Sequence, residues 1–544
     1  MVTLRPRRED FVHNAPVKTT TAAFCSLAIL LVAAAVRLPN LTAGYPYVNY
    51  VDEGNFLYPV SEMLRQHRWE PGWYLYPSLP LIATATAARL ADPVRRTLRG
   101  GRSLADDLRS NNGMYDDLSP DLLIAGRVTS LLAGLGIVVL AGRLARRLAG
   151  PRAGLAAALL TAVAPPLVIR GAIASVDPFA AFFVLAVLLF AERLRTAVGE
   201  RPGREAFAAG AMAGFAFAAK YPALLAGLVP LWIVLRSAPP EREKRRAKLR
   251  LLVLVAAGAA SAAVVAMPGL LLHPRDAWAA ILRQGVLYAG LTSPAPLWRQ
   301  ALVRAEWDLP YDHPELGAAF LLLALAGLVF AWRDRELSPA VQAWSLYAAA
   351  ALLLVLRYPF HPFRNLLPLV APACILVAIL WDRLRARLAG PLQAAAVDAG
   401  AVILLAFFFV RPIAGYAWKR LHLRDSRAEA VEWLAPRLRP GDAVLVIREL
   451  AILPEELDRL PVRTFLAHWP RVTRAIANRH HRFLVASVPP PSGPYRLDPD
   501  SRAALLRDYE VRVQLGTDPT PQDDYWWHGN RQIVFVLERR AGPE

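Results

Sequence analysis

Cysteine is almost absent: Cys25 and Cys374 are the only two in 544 residues, and both lie inside apolar runs. That excludes a disulfide framework, a CxxC redox pair and a cysteine zinc site, and leaves both thiols as membrane packing. Charge is missing from long stretches as well. Thr19 to Val36, Leu251 to Leu272, Gly317 to Trp332 and Ala394 to Val410 approach or reach the roughly 20 residues needed to cross hydrocarbon, almost without ionisable side chains. Such runs exclude a soluble enzyme. Acids are scarcer than bases, with 44 Asp and Glu against 63 Lys and Arg and a net charge of +19. The basic excess sits in short connectors between apolar runs, where orientation in a membrane accounts for it and nucleic acid is not needed. No internal repeat or low-complexity tract is evident.

The fold class expected is an all-α polytopic membrane protein of about eleven helices with a small C-terminal extracytoplasmic α/β domain. The connectors holding Arg143 to Arg152, Arg193 to Arg204, Arg236 to Arg250, Arg333 with Arg335, and Arg383 to Arg387 fall on one side, which is therefore cytoplasmic. Arg5, Arg7 and Arg8 before the first run superficially resemble a signal peptide, but many similar runs follow, so the run is read as an uncleaved span. This gives a cytoplasmic N-terminus over 1–18, a membrane domain over 19–411 with a large first outer loop from about 39 to 120, and an outer domain over 412–544. The absent targeting tail and the arginine-rich composition fit a plasma membrane.

One pair of spans is irregular. Phe207 to Arg236 must cross out and back in about thirty residues, too few for two full spans, so a broken hairpin is expected with Lys220, Tyr221 and Pro222 at its tip. An ammonium there needs a partner. In the tail, Ser426 with Glu429 has the pattern of a capping box, and strands are expected over Ala443 to Ile447, Arg482 to Ala486, Val511 to Leu515 and Gln532 to Leu537.

The first outer loop holds Tyr45, Tyr47, Tyr50, Asp52 and Glu53 within a few residues of the first span, so two acids sit at the membrane surface. A carboxylate there can take a proton from an acceptor hydroxyl. Adjacent helical residues diverge by about 100°, so the two acids do not share one task; the plainer reading is a helix start, where negative charge is favoured. Downstream come Trp69, Glu70, Pro71, Gly72, Trp73, Tyr74, Leu75, Tyr76 and Pro77. These aromatics suit either sugar stacking or an interfacial belt, and the belt is favoured for most.

The run from Tyr50 to Pro80 resembles the GT-C glycosyltransferases that use polyprenyl phosphates, specifically the family 39 group of protein mannosyltransferases and aminoarabinose transferases. Further matching pieces are Arg127 with Gly134, Ala164 to Asp177, Gly210 to Pro222, and Phe363 to Pro372. Together they span most of residues 20–410, and their order carries the likeness more than any single motif. The resemblance implies an inverting transfer from a polyprenyl-phosphate sugar to a lipid, glycan or protein hydroxyl outside the membrane. It makes Asp52 the base and Glu53 an accessory or cation-binding acid. Lys220, Arg357 and Arg364 lie near outer span ends and are candidates for the lipid phosphate, against headgroup snorkelling for the arginines. Asp177 is expected to orient the acceptor, hold Lys220 or cap its helix, and Tyr76 to meet substrate.

No cofactor is required by the sequence. Relatives in this group make a divalent metal ion conceivable at Glu53 with His361, His313 or Glu306, although nothing in their spacing demands it. The chain departs from the aminoarabinose-transferase pattern in lacking a clear lysine soon after the loop acids, which leaves the sugar open, and the segment Pro93 to Asp121 matches nothing and is read as exposed and partly ordered. A secondary transporter, with broken helices and a hidden lysine, and a non-catalytic membrane assembly protein are the alternatives.

Overall fold

The computed structural model describes residues 19–540 apart from 43–44, 46–50, 99, 109–118, 198–201, 237–241, 290–295, 297–313, 357–362, 389, 412, 416–424 and, in the tail, 448–449, 451, 453–456, 468–471, 478–480, 488–502, 504, 506 and 517–532. Among the described residues, five helices are long and apolar enough to cross a membrane: Thr20–Leu41, Pro120–Ala149, Arg245–Ala266, Ser338–Leu356 and Arg364–Ala386. Shorter apolar helices stand at Pro151–Val163, Tyr221–Arg236, Phe320–Arg333 and Pro391–Leu405. The architecture is that of a multi-pass membrane protein, without fixing the expected number of spans.

The first helix, α1 (Thr19–Ala35), leads through a short turn α2 (Leu38–Leu41) to α3 (Val51–Arg65), α4 (Ser78–Leu98) and α5 (Leu104–Asp107), which build the first long loop. Phe56, Leu57, Val60 and Met63 of α3 bury against Leu81 of α4 and Leu122. The segment expected to be exposed and partly ordered is clasped at its base. Arg95 pairs with Asp121 at 2.8 Å, Asp92 accepts from the Leu104 amide at 2.7 Å, and Ser103 with Asp106 forms a capping box on α5.

The core hairpin is α6 (Pro120–Ala149) and α7 (Pro151–Val163), turned by Gly150 at φ +99° with Pro151 opening the second helix. Proline lacks the amide that a first helical residue leaves unpaired, and glycine alone takes the left-handed conformation freely. Ala164 and the prolines after it break the chain into α8 (Pro165–Arg170), followed by α9 (Asp177–Thr196). Arg37 is fully buried beside these turns and donates to the carbonyls of Ala33 at 2.8 Å and Ala162 at 2.7 Å. Carbonyls at the end of α7 carry the negative end of its dipole and so receive the guanidinium. A Cβ at Gly171 would come within 3.2 Å of Arg37 Nε, so this close approach needs glycine.

Next come α10 (Pro202–Ala219), a 3-10 turn (Tyr221–Gly227), α11 (Leu228–Arg236), α12 (Arg242–Ala266), α13 (Gly269–Leu272) and α14 (Pro274–Ala289). The expected broken hairpin is present. Backbone contact joins α10 to α12: Cβ atoms built on Gly210, Gly214 and Gly258 would lie 2.0 Å from Val255 O, 2.2 Å from Ala259 O and 2.1 Å from Phe207 O. Without a hydrophobic drive between helices in lipid, small residues that let backbones touch provide the packing. The bundle closes with α15 (Pro314–Arg333), α16 (Ser338–Leu356), a 3-10 turn (Phe363–Leu366), α17 (Leu367–Ala386) and α18 (Pro391–Leu405), whose end passes into a π turn (Ala406–Val410).

The tail is a separate α/β unit. After α19 (Ser426–Leu434) come β1 (Ala443–Ile447), β2 (Arg463–Ala467), α20 (Val472–Ala477), β3 (Phe483–Ser487), β4 (Tyr509–Leu515) and β5 (Val534–Arg539). The sheet order is β2-β1-β3-β5-β4, with β1 parallel to β2 and β3 and β5 antiparallel to β3 and β4. All four expected strands are found within two residues of their expected positions. The strand β2 was not expected: Arg463, Phe465 and Leu466 are exposed, so no alternation marks it, and it lies at the sheet edge. The capping residue also differs: Asp425, one position before Ser426, accepts from the Arg427 amide at 2.9 Å and from its guanidinium at 2.9 and 2.7 Å. A carboxylate that caps the helix and answers a buried arginine at once outcompetes the serine.

One ion pair ties α3 to α6. Arg127 of α6 donates from Nε to Glu53 Oε1 at 2.8 Å and from Nη2 to Oε2 at 2.9 Å, and both side chains are buried. Arg127 Nη1 reaches the Leu41 carbonyl at 3.0 Å, and Glu53 Oε1 also accepts the Ala174 amide at 3.1 Å. Removing one partner of such a pair strands the other charge.

Two stability outcomes follow. Arg127→Met is expected to cost about 3–5 kcal/mol, read as a lowered thermal midpoint of the detergent-solubilised protein, with part recovered in Glu53→Leu plus Arg127→Met; an unchanged midpoint for the single variant contradicts this. Gly214→Leu is expected to abolish monodisperse protein in size-exclusion chromatography, whereas Gly400→Leu, whose Cβ meets nothing within 4 Å, leaves the profile unchanged.

Candidate functional site

Helix α10 ends at Ala219 and Lys220 is extended, at φ −159° and ψ 121°, before the 3-10 turn that holds Pro222. Its amide still donates to the Ala216 carbonyl at 2.9 Å, and its own carbonyl accepts from Ala223 at 2.8 Å, so the break costs little backbone bonding. The break turns the side chain inward. Lys220 Nζ donates to Asp177 Oδ1 at 2.6 Å and to Asn365 Oδ1 at 2.7 Å. An ammonium has three protons, and these two bonds occupy two of them.

Asp177 is the first residue of α9, placed there by Pro178 behind it and by its amide donating to Ser175 Oγ at 3.4 Å. Of the three roles expected for it, holding Lys220 is what its carboxylate does here. Asn365 belongs to the 3-10 turn before α17; it lies inside the matching piece Phe363 to Pro372 but was not singled out as a site residue. Three segments distant in the chain therefore converge on one cation.

These residues border a cavity of about 340 Å³ that Tyr76, Asp177, Lys220, Arg364 and Asn365 help to line. The remaining wall is largely apolar, including Val176, Ala180, Leu225, Ile281, Leu354 and Val355. Tyr76 stacks on Trp73 at 5.7 Å between ring centres, and Trp73 meets Tyr58 edge-on at 6.4 Å, so Tyr76 is held by an aromatic stack rather than lying in a belt. Tyr221 donates to the Tyr74 carbonyl at 2.6 Å and Tyr74 donates to Glu70, which fastens the first-loop aromatics to the turn that carries Lys220. A Cβ on Gly269 would fall 2.3 Å from the Tyr74 ring, so that ring lies flat against α13.

The structure thus brings together Asp177, Lys220, Arg364 and Tyr76. Glu53 does not join them: it does not line the cavity, and its oxygens are taken by Arg127 and the Ala174 amide. The acid here faces a basic side chain, the Arg127 guanidinium, whose fork satisfies both carboxylate oxygens. Asp52 lies next to it in α3, and its side chain is outside the described residues, as are Arg357, His361, His313 and Glu306. Among the described residues, no cluster of three or more His, Cys, Asp or Glu could hold a metal ion.

Residues 118–282 match a family model described as dolichyl-phosphate-mannose-protein mannosyltransferase. No curated protein matches the chain. Among solved structures, ArnT from Cupriavidus metallidurans bound to undecaprenyl phosphate is similar at a TM-score of 0.54 and 15% identity, over 96% of this chain and 98% of that one. Its apo state gives 0.52 at 15% identity, over 95% and 98%. The Archaeoglobus fulgidus oligosaccharyltransferase tethered to an acceptor peptide gives 0.51 at 11% identity, over 86% and 69%. The chain has the GT-C fold of the polyprenyl-phosphate-dependent glycosyltransferases.

Proposed function

We propose that this chain is a membrane glycosyltransferase that moves a sugar, with inversion, from a polyprenyl phosphate to a hydroxyl of a lipid, glycan or protein at the outer face of the plasma membrane. In this reading the N-terminus is cytoplasmic and the C-terminal α/β domain lies outside. The observation that carries the reading is the cavity, whose largely apolar wall also carries Lys220 and Arg364. A polyprenyl phosphate divides its chemistry in the same way, with a charged head and a hydrocarbon chain. The ArnT structure that shares the fold was solved with undecaprenyl phosphate bound.

Transfer forms a bond from the acceptor oxygen to the anomeric carbon and breaks the bond from that carbon to the phosphate oxygen. The acceptor proton goes to Asp52, and the electron pair of the broken bond stays on the phosphate. The phosphate thereby gains negative charge as the reaction proceeds. Cations fixed beside it bind the transition state more tightly than the donor, which is what lowers a barrier. Lys220 supplies a compact charge, and Arg364 adds a second positive charge. Asp177 and Asn365 hold the ammonium in place before the substrate arrives.

Purified protein incubated with a panel of polyprenyl-phosphate sugars and acceptor hydroxyls should release polyprenyl phosphate. Asp52→Asn is expected to slow release by about a hundredfold or more, and Lys220→Met by about a hundredfold, with neither changing the chromatographic profile. Undiminished turnover by Asp52→Asn sinks the base assignment, and turnover of no donor by the wild type sinks the reading as a whole.

A further inference from the structure

Helix α12 starts on a block of cations. Arg242, Lys244, Arg245, Arg246, Lys248 and Arg250 stand in its first turns against the acid Glu243. This order opposes the helix dipole, which favours negative charge at that end, and it sets the like charges of Arg246 and Arg250 four residues apart on neighbouring turns. Connectors elsewhere in the bundle answer arginine with acid: Arg193 pairs with Glu205 at 2.8 Å, Arg195 with Glu192 at 2.8 Å, Arg383 with Asp334 at 3.7 Å and Arg385 with Asp398 at 3.0 Å. Lys248 donates to the Leu235 carbonyl at the end of α11. Arg245, Arg246 and Arg250 are exposed and have no acidic partner among the described residues.

Two of these arginines head a longer stripe. Residues 246, 249, 250, 253, 256 and 260 recur at three- and four-residue spacing and share one face of the helix. After Arg246 and Arg250 that face turns apolar, with Leu249 exposed by 61% and Val253 by 57%, then exposed Ala256 and Ala260. Val255 and Gly258 point the other way, onto α10. At 1.5 Å per residue the 25 residues of α12 span about 37 Å, more than the roughly 30 Å of hydrocarbon but less than the whole bilayer with its headgroups. The contact of Lys248 with Leu235 puts the basic turns at the end of the broken hairpin remote from Lys220, and so at the membrane surface remote from the cavity. The arginines of the stripe therefore stand at headgroup depth and its apolar part at the depth of acyl chains.

We propose that this stripe binds an anionic phospholipid, with the phosphate held by Arg246 and Arg250 and an acyl chain lying along Leu249, Val253, Ala256 and Ala260. A guanidinium fork suits phosphate oxygens, and an anion there relieves both the repulsion between the arginines and their conflict with the helix dipole. The continuous face decides the class of ligand. A free anion makes no use of the apolar half, and an acidic protein cannot follow a stripe that runs into hydrocarbon, whereas a phospholipid has the same division into charged head and apolar chain. The site is separate from the cavity and does not depend on how the cavity is read.

The test is native mass spectrometry of the full-length protein with phosphatidylglycerol and phosphatidylcholine of the same acyl chains as probes. Wild type is expected to retain phosphatidylglycerol in preference. Arg246→Gln with Arg250→Gln is expected to weaken phosphatidylglycerol by roughly tenfold or more and to leave phosphatidylcholine unchanged. Arg246→Lys with Arg250→Lys keeps the charge and is expected to keep most of the binding. Arg143→Gln with Arg335→Gln removes the same charge from exposed positions elsewhere and is expected to bind as the wild type does. Undiminished phosphatidylglycerol on the Arg246 and Arg250 glutamine variant overturns the site, as does an equal loss on the Arg143 and Arg335 variant or a wild type with no preference between the lipids. Inorganic phosphate is expected not to compete; displacement of the lipid by phosphate at the lipid's own concentration would make this a free-anion site and overturn the assignment to phospholipid.

Discussion

A charge inside an apolar bundle must be answered by another group, and one half of this molecule is arranged around two such answers. Glu53 meets Arg127, and Lys220 meets Asp177 with Asn365. The two are linked through the backbone. Glu53 accepts the amide of Ala174, which lies three residues before Asp177, so the same carboxylate that fixes α3 against α6 also fixes the approach to α9. Loss of either partner leaves a desolvated charge, and this makes both pairs stiff joints rather than surface decoration.

Around these joints the backbone is shaped for close approach. Gly210 and Gly214 press α10 onto α12, and α10 then stops at Ala219 so that Lys220 can leave the helix. Tyr221 returns to the Tyr74 carbonyl, and the rings of Trp73 and Tyr76 stack on the same segment. The first outer loop and the broken hairpin are thus one unit with a charged floor and an aromatic wall. Transfer chemistry asks for such preorganisation, because groups already in place need not reorganise as charge develops.

The membrane-spanning character could be read from the apolar runs, and the broken hairpin followed from arithmetic on Phe207 to Arg236. That Lys220 needed a partner was also readable, and holding it was one of three roles expected for Asp177. Contacts across long chain separations were not. Glu53 and Arg127 are 74 residues apart, and nothing local in the Asp52-Glu53 pair shows which acid turns inward. Asn365 was not singled out because an uncharged amide carries no electrostatic signal, and its contact with Lys220 exists only once the helices pack. In the tail, hydrophobic alternation revealed the central strands, while the exposed edge strand β2 had no apolar pattern to find.

The central claim is that Lys220 and Arg364 receive the phosphate of a polyprenyl lipid. The most direct measurement is an electron cryomicroscopy structure of the full-length protein with undecaprenyl phosphate. Phosphate density within hydrogen-bonding distance of Lys220 Nζ, with Lys220 still held by Asp177, is the predicted result. Lipid phosphate bound elsewhere, with the cavity unchanged, would contradict it.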